Sequence, residues 1–104
     1  MQNKSMTTAF ILALLLASGA VQAGGDPARG AELAVDCADC HGEDGKGDDD
    51  IPAIAGRDPE KHVELLKAYQ SGELSDEDGM MMMFTETLSE QDMKDLAAYY
   101  ATLD

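Results

Sequence analysis

Apolar residues in the last part of the chain recur at intervals of three and four, the spacing that places side chains on one face of an α-helix. This stripe consists of Met93, Leu96, Ala97, Tyr100 and Leu103. Ser89 precedes the stripe and Asp92 follows after two residues, an arrangement that resembles a capping box at a helix start. The pattern predicts an amphipathic terminal helix, whose apolar face needs a partner element to cover it.

Two further helices are predicted where an aspartate that can cap a helix is followed by a proline. Asp26 and Pro27 open the first of these helices, which runs on into the two cysteines of the chain. Asp58 and Pro59 open the second, whose apolar positions recur until Gly72 ends it. The chain is therefore expected to fold as several short helices.

Glycine and acidic residues mark the connections between these helices. Residues 42–56 are rich in glycine and aspartate and predict a loop with a short apolar stretch, and residues 73–79 predict a second, acidic loop. The methionine run 80–83 is assigned to the loop before the terminal helix. Gly30 has no side chain, so the terminal helix can approach the first helix closely there. Because no stretch alternates long enough for a strand, the fold class is predicted as all-α.

The beginning of the chain is predicted to be a signal peptide covering residues 1–23. Lys4 is its only charge, the run 9–17 is apolar, and residues 21–23 read Val-Gln-Ala, the small-residue pattern of a cleavage site. An uncleaved membrane anchor is the alternative, but the apolar run is shorter than the ~20 residues that a spanning helix needs. We therefore expect an exported, periplasmic domain of residues 24–104 with no stable membrane insertion.

The chain is strongly acidic, with a formal net charge of −14 that becomes −15 without residues 1–23. Such a surface makes nucleic acids and anionic lipids poor partners. The acidic runs 48–50 and 76–78 have two interpretations, a solvated surface or a surface that steers a basic redox partner. The sequence leaves both open.

One motif carries recognisable chemistry, Cys37-Ala38-Asp39-Cys40-His41. On a helix, this spacing places two thiols and an imidazole along one side, so the thiols can reach the two vinyl groups of one porphyrin while the imidazole faces its iron. A thioredoxin-like pair would need strands, a structural zinc site would need four ligands, and a disulfide would leave His41 unexplained. The motif therefore predicts covalent attachment of one haem c.

A haem iron held by His41 also needs a ligand on its other face, and methionine is one of the common choices. The candidates are Met80, Met81, Met82 and Met83, which are adjacent in the chain. His62 is a competing ligand, but it stands beside Lys61 near the start of a helix and is predicted to lie on the surface. The run is therefore expected to contain the ligand, without identifying which residue it is.

The chain resembles the class I cytochromes c over residues 24–104. The resemblance is carried by Gly30, the segments 37–42 and 51–56, the segment 66–69 with Gly72, the methionine run, and the segments 88–92 and 96–100. It implies a class I cytochrome c fold of three to five short helices wrapped around one haem. It also implies that Leu96 and Tyr99 pack on the first helix near Gly30. The chain is most similar to small bacterial periplasmic members, including haem subunits of flavocytochrome c sulfide dehydrogenases.

The same resemblance implies roles for two further residues. Pro52 would accept a hydrogen bond from Nδ1 of His41 through its backbone carbonyl, as partners of metal-bound histidines do. In relatives the second ligand commonly stands seven residues before the position of Leu88, which selects Met81. Met80 is the next candidate, and Met82 and Met83 remain alternatives.

These features predict an electron-transfer protein, not an enzyme, that exchanges single electrons with transient redox partners through a haem with His and Met axial ligands. The alternative is a haem subunit that accepts electrons from a flavoprotein in a sulfide dehydrogenase complex. A lasting complex would need an exposed apolar patch near the haem. A third class, gas binding, would need a vacant or labile sixth site on the iron.

Overall fold

The computed structural model describes residues 24–104, so the predicted signal peptide, residues 1–23, lies outside the described residues. This part of the chain forms five helices, α1 (Pro27–Leu33), α2 (Val35–His41), α3 (Pro59–Ser71), α4 (Met80–Thr85) and α5 (Glu90–Ala101). Between residues 24 and 104 there is no strand, and no helix there is long and apolar enough to cross a membrane. The predicted all-α class is confirmed.

Helices α1 and α2 are two segments of what the sequence predicts as one helix. Asp26 caps α1 by accepting a hydrogen bond from the amide of Ala28 at 3.0 Å. A turn at Ala34 separates the segments, although the Ala34 amide still bonds the Gly30 carbonyl and the Ala38 amide bonds the Ala34 carbonyl, both at 2.9 Å. These two bonds link the segments, and α2 carries the cysteines.

Gly30 is the point at which α1 and α5 come closest. A Cβ placed on Gly30 would collide with the backbone carbonyl of Asp95 and lie 2.8 Å from Cβ of Tyr99. Only glycine allows this approach, so the predicted close crossing of the first and terminal helices is confirmed.

Polar contacts beside this crossing hold α1 against α5. Asp95, 1% exposed, accepts hydrogen bonds from the Asp26 amide at 2.8 Å, from Gln91 at 2.9 Å and from Arg29 at 2.9 Å. Arg29 also donates to Asp92 at 2.6 Å. Burial alone would raise the pKa of Asp95, but these donors outweigh it and lower the pKa below its ordinary value.

The apolar stripe of α5 forms the centre of the core, as its spacing predicts. Met93, Leu96, Ala97 and Tyr100 are buried, and Leu103 is partly buried just beyond the helix end. The stripe packs against Ala34 and against Ile54 from the long loop. At the start of α5 the predicted capping box is present: the Asp92 amide donates to Ser89 Oγ, and the Ser89 amide donates to the Asp92 carboxylate, each at 3.0 Å.

The methionine run forms helix α4, and its assignment to a loop is therefore wrong. Methionine favours helix, and the Asp76 carboxylate accepts hydrogen bonds from the amides of Met80 and Met81 at 3.2 Å, which caps the helix start. Helix α4 packs against α3. Gln70 of α3 donates to the carbonyls of Thr85 and Leu88, both at 2.8 Å, and so ties α3 to the segment that leads into α5.

Candidate haem-attachment site

Helix α2 presents the two cysteines and the histidine of the motif. Cys37 is partly buried and packs against the core, whereas Cys40 is exposed, and the two are free thiols that are not bonded to each other. The helix ends at His41, and Gly42 begins the loop that returns beneath it. Two free thiols one turn apart are what attachment of a porphyrin through both vinyl groups requires.

His41 is 7% exposed and has one of its ring nitrogens engaged. Its Nδ1 lies 2.8 Å from the backbone carbonyl oxygen of Pro52. Because a carbonyl oxygen can only accept, Nδ1 must carry the hydrogen, and in the neutral ring Nε2 then keeps its lone pair. That tautomer is the one that binds a metal through Nε2 while the hydrogen bond holds the ring in place.

Gly47 allows the Pro52 carbonyl to reach His41, and sequence reasoning missed it. It has a φ of +65°, and its amide donates to the His41 carbonyl at 2.7 Å. A Cβ at Gly47 would collide with the Ile51 carbonyl oxygen and lie 2.7 Å from the Pro52 carbonyl oxygen. The run of glycines in the loop signalled a turn, but it did not single out this position.

The four methionines lie on α4, which packs chiefly against α3, while Pro52 lies beside the histidine of α2. Met80, Met82 and Met83 are 39%, 46% and 54% exposed, whereas Met81 is partly buried. The Met82 side chain turns toward α3, since its Cε lies 3.5 Å from the Cβ position of Gly72. The structure thus brings the motif and Pro52 together and leaves the methionines on a separate helix.

His62 is buried, so its assignment to the surface is wrong. It is 4% exposed, one helical turn before the buried Leu66, and its ring centroid lies 5.8 Å from that of Tyr100. Its Nδ1 has no hydrogen-bond partner among the described residues. Burial first, and then the nearby charges of Arg57 and His41, lower the pKa of His62 to about 4, so the ring is neutral near pH 7. Leu66 lies four residues later and therefore on the same face of α3, but this spacing alone does not show that a polar side chain is buried there.

The other interpretations of the motif were a structural zinc site and a disulfide. In residues 24–104, no group of three or more His, Cys, Asp or Glu side chains is arranged to hold a metal ion, and the two cysteines form no disulfide. The free thiols and the Nδ1-bonded His41 fit a covalently attached haem, with Cys37 and Cys40 as attachment points and Nε2 as an iron ligand.

Comparison with known proteins gives the family. The family model described as Cytochrome c matches residues 27–104, almost all of the described chain. The chain belongs to the cytochrome c family. It is 34% identical over 80 residues to cytochrome c-554(548) of Halomonas halodenitrificans, which covers 75% of this chain and 96% of that protein. It is 37% identical over 89 residues to cytochrome c-554(547) of Halothiobacillus neapolitanus, covering 76% and 98%.

Solved structures agree with this assignment. Cytochrome c4 of Acidithiobacillus ferrooxidans superposes with a TM-score of 0.69 at 26% identity, over 78% of this chain and 50% of that one. Cytochrome c4 of Pseudomonas stutzeri superposes with a TM-score of 0.67 at 23% identity, over 77% of this chain and 50% of that one. At this level of identity the likeness supports the fold and nothing more. The cytochrome thus spans about half the length of these two structures.

The class I cytochrome c fold is therefore confirmed, and so is the prediction of a covalently bound haem c with its iron. The protein is a haem electron carrier and not an enzyme, and redox proteins are its partners. When bound, the haem supplies a one-electron couple between ferrous and ferric iron. Cys37, Cys40 and His41 are the residues that would hold it.

Proposed function

We propose that this cytochrome is a periplasmic one-electron carrier whose haem is attached through Cys37 and Cys40 and whose iron is held by His41 and Met81. The observation that carries the proposal is the 2.8 Å contact between Nδ1 of His41 and the Pro52 carbonyl. It leaves Nε2 as the only ring nitrogen free to bind iron and raises its basicity. Haem-peptide mass spectrometry tests the attachment, because the proposal requires thioether bonds at both cysteines.

The choice of Met81 is supported by the geometry of α4. Residues four apart on a helix lie on the same face, and Thr85, four residues after Met81, is 1% exposed. Its hydroxyl donates to the Met81 carbonyl at 2.8 Å. Met81 therefore shares the inward face of α4, whereas Met80, Met82 and Met83 are more exposed.

Replacing single methionines by leucine tests this choice. Met81→Leu should abolish the weak near-infrared charge-transfer band that methionine-ligated ferric haem shows, because leucine has no sulfur to bind iron. Met82→Leu is the matched control, and it should keep the band. Loss of the band in another variant of the run, with the band retained in Met81→Leu, would assign the ligand elsewhere.

The periplasmic location is proposed from the sequence of residues 1–23, with one positive charge, an apolar run and a Val-Gln-Ala end. Cleavage after Ala23 would leave Gly24 as the first residue. N-terminal sequencing of the haem-loaded protein from a periplasmic extract tests both points. A chain that keeps residues 1–23 and stays with the membrane would contradict the proposal.

The alternative, a haem subunit bound to a flavoprotein, is favoured by one observation. Several large apolar side chains are exposed on or near α4, namely Leu74 at 39%, Met83 at 54% and Phe84 at 37%. A lasting complex buries such side chains, whereas a transient electron-transfer contact needs only a small area. Gel filtration of the protein purified from its host distinguishes the two functions: a free carrier elutes alone, and a subunit elutes with a flavin-containing chain.

A further inference from the structure

Helix α4, which carries the proposed ligand Met81, is too short to be stable without contacts to the rest of the protein. It has six residues, Met80–Thr85, and isolated helices shorter than about 12–15 residues are marginal in water. Asp76 caps its start through the amides of Met80 and Met81. This cap is local in the chain, so the place of α4 in the fold depends on its packing against α3.

Gln70 of α3 holds the end of α4. Its Nε2 group donates to the backbone carbonyls of Thr85 and Leu88, both at 2.8 Å, so both of its hydrogens are used. The last carbonyls of a helix lack partners within the helix, and Gln70 supplies one from outside. Among the described residues, Gln70 is the only side chain of another helix that hydrogen-bonds residues 80–88.

Thr85 extends this connection to Met81. Thr85 is 1% exposed, and its hydroxyl donates to the Met81 carbonyl at 2.8 Å. Because the Thr85 carbonyl accepts from Gln70, hydrogen bonds run without a gap from α3 through Thr85 to the backbone of Met81. Both bonds are partly buried, and a hydrogen bond is electrostatically stronger there than in water.

We propose that Gln70 is a positioning residue that keeps the sixth coordination position of the haem iron closed to exogenous ligands. The inference rests on the proposed ligation by Met81. An exogenous ligand needs that position free, so α4 must move and take the Met81 sulfur away from the iron. This movement separates the Thr85 and Leu88 carbonyls from Gln70, and the two hydrogen bonds oppose it. The apparent affinity for the ligand is reduced because only the open fraction of the protein can bind it.

The variant Gln70→Leu tests the proposal because it removes both donors and keeps a side chain of similar size that favours helix. Gln91→Leu is the matched control, since Gln91 also donates from its side chain, to Asp95 at 2.9 Å, but it does so beside the crossing of α1 and α5. Titration of the haem-loaded ferric proteins with imidazole, followed in the visible spectrum, measures the dissociation constant. We expect it to fall about five- to 150-fold in Gln70→Leu, the range of two net hydrogen bonds, and to stay unchanged in Gln91→Leu.

A second variant keeps the test valid if Gln70→Leu does not fold. Thr85→Val keeps the shape of the side chain and removes the hydroxyl that bonds the Met81 carbonyl. It should lower the dissociation constant for imidazole about two- to tenfold, the range of one neutral hydrogen bond.

Three results would overturn the proposal: an unchanged dissociation constant in Gln70→Leu, an unchanged one in Thr85→Val, or an equal fall in Gln70→Leu and Gln91→Leu. An equal fall would mean that any loosening of the fold opens the position. The leucine variants of the methionine run separate this failure from failure of the proposed ligation. If Met81→Leu keeps the near-infrared band, Met81 is not the ligand. If Met81→Leu loses the band while Gln70→Leu binds imidazole like the wild type, only the role of Gln70 is refuted.

Discussion

Replacing Gly47 by alanine should destabilise the protein through two separate effects. The first is the backbone, because φ at Gly47 is +65° and an L-residue in this left-handed region costs about 1–2 kcal/mol. The second is contact, because the new methyl group would collide with the Ile51 carbonyl and lie 2.7 Å from the Pro52 carbonyl oxygen. These are backbone atoms that cannot rotate away, so we expect an overpacking cost of about 1–3 kcal/mol.

The chain offers a matched control for the backbone effect at Gly79. Its φ is +69°, close to that of Gly47, but a Cβ there would meet no atom within 4 Å. Gly79→Ala should therefore lower the free energy of unfolding by about 1–2 kcal/mol, and Gly47→Ala by about 2–5 kcal/mol in total. Guanidinium unfolding of the two haem-loaded variants measures the difference. Equal losses would refute the argument that Gly47 makes room for the Pro52 carbonyl.

Two further predictions concern charge. The pKa of His62 is about 4 in the folded protein, against an ordinary value of 6.5. As the pH drops, His62 therefore gains a proton in the unfolded chain before it does so in the folded one. The stability that the neutral ring gives is complete above pH 6.5 and is lost as the pH falls toward 4. The free energy of unfolding should fall by about 3 kcal/mol across this window. His62→Phe should remove this fall, and a variant with the same pH dependence of stability as the wild type would contradict the prediction. The double variant Glu77→Gln with Asp78→Asn should slow reduction of the haem by a cationic complex at low salt. The double variant Asp49→Asn with Asp50→Asn removes the same charge and should slow this reaction less. Stopped-flow rates at low and high ionic strength measure this, and equal slowing by the two pairs would show that only total charge matters.

Local signals in the sequence predicted the parts of the fold that depend on neighbours along the chain. The stripe on α5 and the caps at Asp26, Asp58 and Ser89 each involve residues within a few turns, and all are present. The crossing at Gly30 is long-range, but a glycine at this place in the first helix was a sufficient signal for it.

The sequence could not predict features that depend on contacts between residues far apart in the chain, where the local sequence fits more than one structure equally well. Four identical methionines have no periodicity, so the helix of this run became visible only through its cap at Asp76 and the contact of Gln70 with Thr85. His62 is polar, and its burial depends on the packing of α3 against α5. At the site, the motif itself identifies the cysteines and the histidine, while the role of Gly47 depends on where the loop returns.

The acidic loops contain two kinds of acidic residue, those that bond nearby backbone amides and those that are exposed, and the sequence alone did not distinguish them. Asp48 accepts hydrogen bonds from the amides of Asp50 and Ile51 at 2.8 and 2.9 Å, and these lower its pKa. Asp76 likewise caps α4. The first acid of each run therefore stabilises local structure. The remaining acids of residues 76–78 are exposed directly before the helix that carries Met81. A basic partner steered by this loop would arrive beside the proposed ligand Met81, whereas the acids of residues 48–50 stand next to the segment of Pro52 that contacts the proposed ligand His41. Unequal slowing in the two pairs of charge variants would therefore show at which of the two ligands the partner docks.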